Sequence, residues 1–359
     1  MSGMTDASVS KLPEDRSQRP AKKTRSPAGS AKLSEVATLA GVSEATVSRV
    51  LNRKYGVSPT TREQVEDALR QIGYERPRKG EIVLVLVPGL ATPFFGEMCN
   101  AIEADLSPHG LRAVIGPVLP GSVYERDYVE ALVDTGIAAA IFLSSSNTLQ
   151  NADDSARALL ESRGVPYLCV NGGFAEGDAP VISTDDWRAA ELAVDHLYEL
   201  GHRRIGMCAG PLGNTPADRR VEGFLNSMDA RGIEGAEDLV VRYHYSVDGG
   251  RYAADALLDL DVTAIVASSD DMALGAIRAI KRRGLRVPED VSVIGYNNSS
   301  ILEFTDPPLS SVAQPVEHLA QACARTLVTM IQNRPVRTDE MLMEPTFHAR
   351  QSTAPVRTA

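Results

Sequence analysis

From residue 82 onward, short apolar runs recur with helical patterns between them. They are IVLVLV at 82–87, AVIGPV at 113–118, AAAIFL at 138–143, PYLCV at 166–170, IGMCA at 205–209, AIVAS at 264–268 and VSVIGY at 291–296. Stretches such as 186–200 and 272–283 lie between them with helical periodicity. Runs this short and this apolar suit strands buried on both faces, the condition of a parallel sheet covered by helices. Parallel neighbours need a crossover, so the alternation itself argues for βαβ units. Residues 81–359 are therefore expected to form α/β architecture in two doubly wound parallel-sheet lobes. Ligands of such folds bind at the carboxyl ends of strands, in the crevice between lobes.

The charge is split along the chain. Residues 21–80 hold five Lys and seven Arg against five Glu and one Asp, a balance of +6, while residues 81–359 carry −16. A basic segment joined to an acidic body points to a polyanionic partner for one end only. Residues 1–30 are rich in Ser, Pro, Lys and Arg without apolar periodicity and read as a disordered basic arm. From Leu33 the spacing becomes helical, through Val36, Ala37 and Ala40, until Gly41 ends the helix and Ser43 offers a cap for the next. In that second helix Val47, Val50 and Leu51 form one stripe, and Glu44, Ala45, Ser48, Arg49 and Asn52 fall outside it. Ser58-Pro59 opens a third helix that runs to Gly73. Three short helices around a small core form the helix-turn-helix plan.

The stretch LSEVATLAGVSEATVSRVLNRKYGVSPTTREQVEDALRQIGY resembles the headpiece of the LacI/GalR family of bacterial transcription regulators. The resemblance implies that Glu44, Ala45 and Arg49 face base edges in the major groove. Arg can pair bidentately with guanine, and an Ala methyl can pack on a thymine methyl. It also implies that Thr46, Ser48, Asn52, Ser58, Thr61 and Arg62 hold the DNA backbone. For the hydroxyls, simple helix capping is the competing reading. Family members carry about fifteen residues of hinge after the GY of helix three; a count of that size is long enough for a short helix. Here only Glu75-Arg76-Pro77-Arg78-Lys79-Gly80 precede the first strand. The expectation is a headpiece at 31–74 and a shortened linker at 75–80. That linker either lacks the hinge helix and uses Arg76, Arg78 and Lys79 on DNA, or merely tethers.

The body resembles the periplasmic-binding-protein-like effector domain of the same family, through VPGLATPFF at 87–95, ELGHRRIGMCAGP at 199–211, RRVEGF at 219–224, SDDMALGA at 269–276, VSVIGYNN at 291–298 and PPLSSVAQP at 307–315. The resemblance implies that Phe94 or Phe95 stacks on ligand and that Arg220 grips hydroxyls or carboxylates with its planar fork. Asp270 either accepts ligand hydroxyls or caps a helix, and an Arg220–Asp270 pair suits vicinal hydroxyls or a plain ion pair. Asn171, Asn297 and Gln314 complete the expected effector site. Asn171 and Asn297 stand where the family often has Asp, and Ser269 where it has Asn; an amide in place of a carboxylate changes the hydroxyl pattern that fits. Trp187 is read as packing, and His202 with Arg203 and Arg204 as a solvated turn.

No apolar run reaches the roughly 18 residues of a membrane span, and the first thirty residues lack a signal-peptide core, so a cytoplasmic location is expected. Cys99, Cys169, Cys208 and Cys323 show no CxxC spacing, and no metal or cofactor motif is present. There is no P-loop, GxGxxG or GxSxG, which weakens an enzyme reading. The leading expectation is a homodimeric regulator, most simply a repressor, that binds an inverted-repeat operator in double-stranded DNA under control of a small effector, a sugar. The alternative is a cytoplasmic sugar-binding protein without operator specificity.

Overall fold

A computed structural model describes residues 30–51, 57–71, 81–118 and 124–357. The arm before residue 30, Asn52, Tyr74 and the linker at 75–80 lie outside the described residues. The chain divides into two compact units, 1–76 and 77–359.

In the first unit, α1 (Ser30–Ala40), α2 (Glu44–Leu51) and α3 (Pro59–Gln71) enclose a core of Val36, Ala37, Val47, Val50, Val65, Ala68 and Leu69. Gly41 ends α1 at φ 64°, a left-handed conformation that costs glycine little, and Val42 N closes back on Ala37 O at 3.0 Å. Ser43 caps α2 by accepting from Thr46 N at 3.2 Å, and Ser58 caps α3 by accepting from Thr61 N at 3.1 Å.

The second unit contains two six-stranded sheets. Lobe one is built from β1 (Ile82–Val87), α4 (Pro93–Leu106), β2 (Arg112–Pro117), α5 (Glu125–Val133), β3 (Ile137–Leu143), α6 (Ser155–Ser162), β4 (Tyr167–Val170) and β5 (Val181–Thr184). Lobe two follows with α7 (Asp186–Glu199), β6 (Ile205–Ala209), α8 (Thr215–Asp229), β7 (Val240–Arg242), α9 (Val247–Leu258), β8 (Ala264–Ala267), α10 (Asp270–Arg282), β9 (Ser292–Asn297) and β10 (Ser310–Ala313). The chain then returns to lobe one for α11 (Val316–Ile331) and β11 (Met341–Met343), and ends in lobe two with β12 (Thr346–His348).

Sheet one runs β11-β5-β4-β3-β1-β2 with every pair parallel. Sheet two runs β12-β10-β9-β8-β6-β7, parallel except where β12 meets β10. Central strands such as β1 and β3 are wholly apolar and covered on both faces, and α4 and α11 close one face of sheet one. The chain passes between lobes after β5, β10 and β11, all at one side of the sheets, and Asp185 N donates to Met343 O at 2.9 Å to bind two of these passages together. β2 and β7 therefore stand at the opposite, mouth side of the cleft.

Five strands had no sequence signature: β5, β7, β10, β11 and β12 are only three or four residues long, and β5 and β10 bury Ser183, Thr184, Ser310 and Ser311 beside single core residues Ile182 and Val312. His202 corrects the expectation of a solvated turn. It is 2% exposed, with Nδ1 against Thr263 Oγ1 at 2.9 Å and Nε2 against Ala354 O at 3.0 Å. The imidazole thereby helps pin the C-terminal segment, whose Ser352 Oγ donates to Val293 O at 2.6 Å. Among the described residues, no helix is long and apolar enough to cross a membrane.

Candidate functional site

The headpiece exposes one face of α2, the helix expected to read bases. Val47 and Val50 are buried, whereas Glu44, Ala45 and Arg49 are exposed and Thr46 and Ser48 half-buried. The i, i+3 and i+4 spacing that buries the valines turns Ala45 and Arg49 outward together. Two of the expected phosphate contacts already have structural work: Thr46 Oγ1 lies 2.9 Å from the Ser43 hydroxyl and Thr61 Oγ1 lies 2.8 Å from that of Ser58. A hydroxyl so engaged still has lone pairs and a rotatable proton, so capping and phosphate binding are compatible.

In the body, three amides run along the floor of the cleft. Gln314, on the passage from β10 to α11, accepts at Oε1 from Asn171 Nδ2 (3.2 Å) and Thr184 Oγ1 (2.8 Å), and donates from Nε2 to Asn297 Oδ1 (2.9 Å). Asn171 follows β4 in lobe one and Asn297 ends β9 in lobe two, so one side chain joins both lobes and two of the passages between them. Both asparagines have positive φ, 64° and 111°, a backbone state that Asn tolerates better than most residues.

Lobe two adds a buried charged network. Arg220, 5% exposed on α8, donates from Nη1 to Asp186 Oδ1 and from Nη2 to the Tyr245 hydroxyl at 2.7 Å, and lies over the Tyr296 ring at 4.2 Å. Tyr296 donates to the same Asp186 oxygen at 2.8 Å, and Tyr245 donates to Asn214 Oδ1 at 3.2 Å. Burial pushes the Asp186 carboxyl above its ordinary value, against the pull of Arg220 and the Tyr296 hydroxyl. Asp186 Oδ2, Arg220 Nε and Ser268 Oγ are buried without a hydrogen-bond partner among the described residues. Buried polar atoms left this way call for a bound hydroxyl or water.

Two expected ligand groups sit differently. Phe94 is 2% exposed in the core of lobe one with Val85 and Met98 and does not line the cleft; its neighbour Phe95 is half-buried, edge-on to it at 5.2 Å. Consecutive helical residues point about 100° apart, so Phe94 is enclosed by the core while Phe95 packs against its margin and stays partly open. Asp270 does not face Arg220, whose acid is Asp186. Asp270 instead accepts from Ser299 N and Oγ, both at 2.9 Å, and from Ser311 Oγ at 2.7 Å. Capping of α10 falls to Ser269, which accepts from Met272 N at 3.2 Å. Burial raises the Asp270 carboxyl to about 6, the three hydrogen bonds opposing it. Trp187 packs as expected, under Arg219 at 4.7 Å with Nε1 on Glu222.

The lobes touch across the cleft at several points. Thr92 Oγ1 donates to Asp271 Oδ2 (2.8 Å), Gln150 N to Gly213 O (2.8 Å), and Asn214 Nδ2 to Thr148 Oγ1 (3.2 Å). Arg219 of lobe two makes a bidentate pair with Glu340 of lobe one at 2.7 and 2.8 Å.

Comparison with known proteins fits both units. Residues 32–77 match the family described as bacterial regulatory proteins, lacI family, and residues 194–353 match the periplasmic binding protein-like domain. The chain is 42% identical over 332 residues to the HTH-type transcriptional regulator MalR of Streptomyces coelicolor, covering 90% of this chain and 96% of that one. This chain belongs to the lacI family. Among solved structures, this lacI-family protein superposes on a transcriptional regulator CelR–cellobiose complex with a TM-score of 0.70 at 33% identity, covering 89% of this chain and 99% of the other. It also superposes on the Lac repressor dimer bound to operator and the anti-inducer ONPF, with a TM-score of 0.67 at 28% identity over 89% and 98% of the two chains. The protein is thus a DNA-binding transcription regulator of a family of regulators and not an enzyme.

Sequence reasoning missed Asp186, Tyr245 and Tyr296 in this lacI-family cleft. Asp186 stood in plain view beside the capping Asp185, whose Oδ1 accepts from Arg188 N at 3.0 Å. Only the fold shows that the first acid of the pair caps α7 while the second turns inward. Tyr245 follows a strand too short to register, so nothing marked it as lying at a strand end.

Proposed function

We infer that this protein is a repressor that holds an inverted-repeat operator as a homodimer and loses or gains affinity for it when a small carbohydrate binds between the lobes. In this reading residues 31–74 form the headpiece, 75–80 a short linker after the basic arm at 1–30, and 81–359 the effector and dimerisation domain. Glu44, Ala45 and Arg49 read bases; Thr46, Ser48, Asn52, Ser58, Thr61 and Arg62 hold phosphates. Phe95, Asn171, Arg220, Asn297 and Gln314 meet the effector, with Asp186 taking the acidic role at Arg220 and Asp270 holding the lobe-two wall.

The observation that carries the reading is the set of unspent polar atoms beside a fixed planar array. Arg220 Nε and Asp186 Oδ2, on two side chains already joined through Nη1 and Oδ1, are a donor and an acceptor without partners, the two functions that sugar hydroxyls use. The relatives support it: one is bound to cellobiose and another to operator as a dimer. Ligand control follows only if the sugar binds one lobe arrangement better than the other, since that difference sets how far DNA binding shifts.

The test is selection from a random duplex pool by the full-length protein at fixed salt, followed by titration of sugars against the selected site. An enriched inverted repeat whose affinity changes with a sugar is expected. Enrichment without any sugar response refutes the effector assignment, and a salt-sensitive but sequence-blind interaction refutes operator recognition. Arg49→Ala should weaken the selected site by about 1–3 kcal/mol and relax preference at one base pair of each half-site.

A further inference from the structure

We propose that Tyr243 and Tyr252 form an outer subsite for a second sugar ring, so that the effector is an oligosaccharide with one ring in the cleft and the next at its mouth. The proposal rests on the carbohydrate reading given above and specifies the length of the ligand.

The sheet order places the end of β7 at the mouth, opposite the passages between lobes. The three residues after β7 carry the chain along this rim. Tyr243 N donates to Ala209 O at 2.9 Å, which holds it at the carboxyl end of β6. Two residues on, the Tyr245 ring lies over Gly210 so closely that a Cβ there would overlap it, and its hydroxyl is fixed by Arg220. Two residues of chain span at most about 7 Å, which keeps Tyr243 within one pyranose ring of Tyr245 along the backbone.

Tyr245 thus marks the inner end of the rim and Tyr243 the outer. Tyr243 and Tyr252 stack at 5.7 Å with 22° between their planes, and Arg251 lies over the Tyr252 ring at 3.9 Å. Tyr252 is thus covered by Tyr243 and Arg251, and Tyr243 stands outermost in the stack. The pair is 41% and 49% exposed. Exposed stacked rings held in place on a rim, rather than in a core, present a preordered apolar face with phenolic hydroxyls at its edge. That combination matches a pyranose, which has an apolar face and polar edges.

The experiment measures calorimetric affinity of the full-length protein for a panel of pentoses and hexoses and their α- and β-linked di- and trisaccharides. The expected result is that at least one disaccharide binds about tenfold more tightly than its own monosaccharide. In Tyr243→Ala and Tyr252→Ala that gain should shrink to about one, and in Tyr243→Phe it should persist. Thermal denaturation of each variant checks that the fold is retained, which surface positions permit. A disaccharide that binds no better than its monosaccharide, or a gain that survives Tyr243→Ala, overturns the outer subsite and leaves the carbohydrate cleft standing. If Tyr243→Ala weakens the dimer and not the gain, the pair is a subunit contact and the proposal falls. Binding of no saccharide in the panel sinks the carbohydrate reading and the subsite with it.

Discussion

Lobe one meets the cleft with Asn147, Thr148 and Asn171, and lobe two with Asp186, Arg220 and Asp270; all six are less than 9% exposed. The lobe-one groups are tied chiefly to backbone. Asn147 Nδ2 donates to Val170 O at 3.0 Å and its Oδ1 accepts from Ser145 N at 2.9 Å, while Asn171 Oδ1 accepts from Thr184 N at 3.1 Å. The lobe-two charges depend chiefly on other side chains: Asp186 on Arg220 and Tyr296, and Asp270 on the Ser299 and Ser311 hydroxyls with one backbone N–H, that of Ser299, beside them. Two walls of similar fold therefore differ in what it costs to alter them. A neutral amide released from backbone loses hydrogen bonds, whereas an acid removed from a buried pair strands a cation.

The largest expected effect follows from that asymmetry. Asp186→Ala leaves the Arg220 guanidinium buried and unpaired, and should destabilise the body by about 3–5 kcal/mol. Asn171→Ala should cost about 1–3 kcal/mol, the price of leaving Thr184 N and Gln314 Oε1 short of a partner. Urea denaturation of both variants measures the difference; equal losses would mean that the two walls are held by similar forces. Asp186→Asn keeps the shape and one acceptor, so its loss should fall between the two.

The next effect is one of pH. The Asp270 carboxyl rises from an ordinary 3.8 to about 6 in the folded chain because it is buried. Between those values the native state keeps a proton that the unfolded chain has lost, so stability from this group is full below about pH 4 and falls as pH rises to 6. The full loss is about 3 kcal/mol, at 1.36 kcal/mol per pKa unit. Asp270→Asn removes this dependence. The stability of the wild-type protein relative to Asp270→Asn should decline from pH 4 to 6 and be level above it. A difference that is flat throughout would show that Asp270 keeps its ordinary acidity and that lobe two carries less electrostatic tension than its burial implies.

How much of this was legible in the sequence depended on the length and exclusivity of each signal. The six-residue run IVLVLV became β1 without change, and helical periodicity at 186–200 became α7 at Asp186–Glu199. Gln314, Asn171 and Asn297 were named from sequence and are brought together by three hydrogen-bonded amide groups. The acid facing Arg220 was not legible, because pairing across elements is set by packing: Asp186 lies 34 residues before Arg220, and Asp270 carries the same charge in an equally plausible place. Phe94 and Phe95 are adjacent and chemically identical, so only the direction of α4 against its core separates them.

The smallest expected effect lies where the walls meet. Arg219 and Glu340 form a fork-to-fork pair across the lobes, with side chains 17% and 27% exposed, and Glu340 also accepts from Ser183 Oγ at 2.5 Å. Against the upward push of burial, hydrogen bonds from Arg219 and Ser183 hold Glu340 below its ordinary carboxylate value. Solvent reaches both partners, so screening limits the pair to about 0.2–1 kcal/mol. A double-mutant cycle of Arg219→Gln and Glu340→Gln should give a coupling of that size that shrinks as salt is raised. Because the pair exists only when the lobes are together, the same coupling should appear in effector affinity. Trp187, the only tryptophan and packed under Arg219, supplies a fluorescence reading of the Arg219 environment. Coupling in stability that is absent from effector binding would place the pair as a fixed brace and leave closure to the amide floor at Gln314.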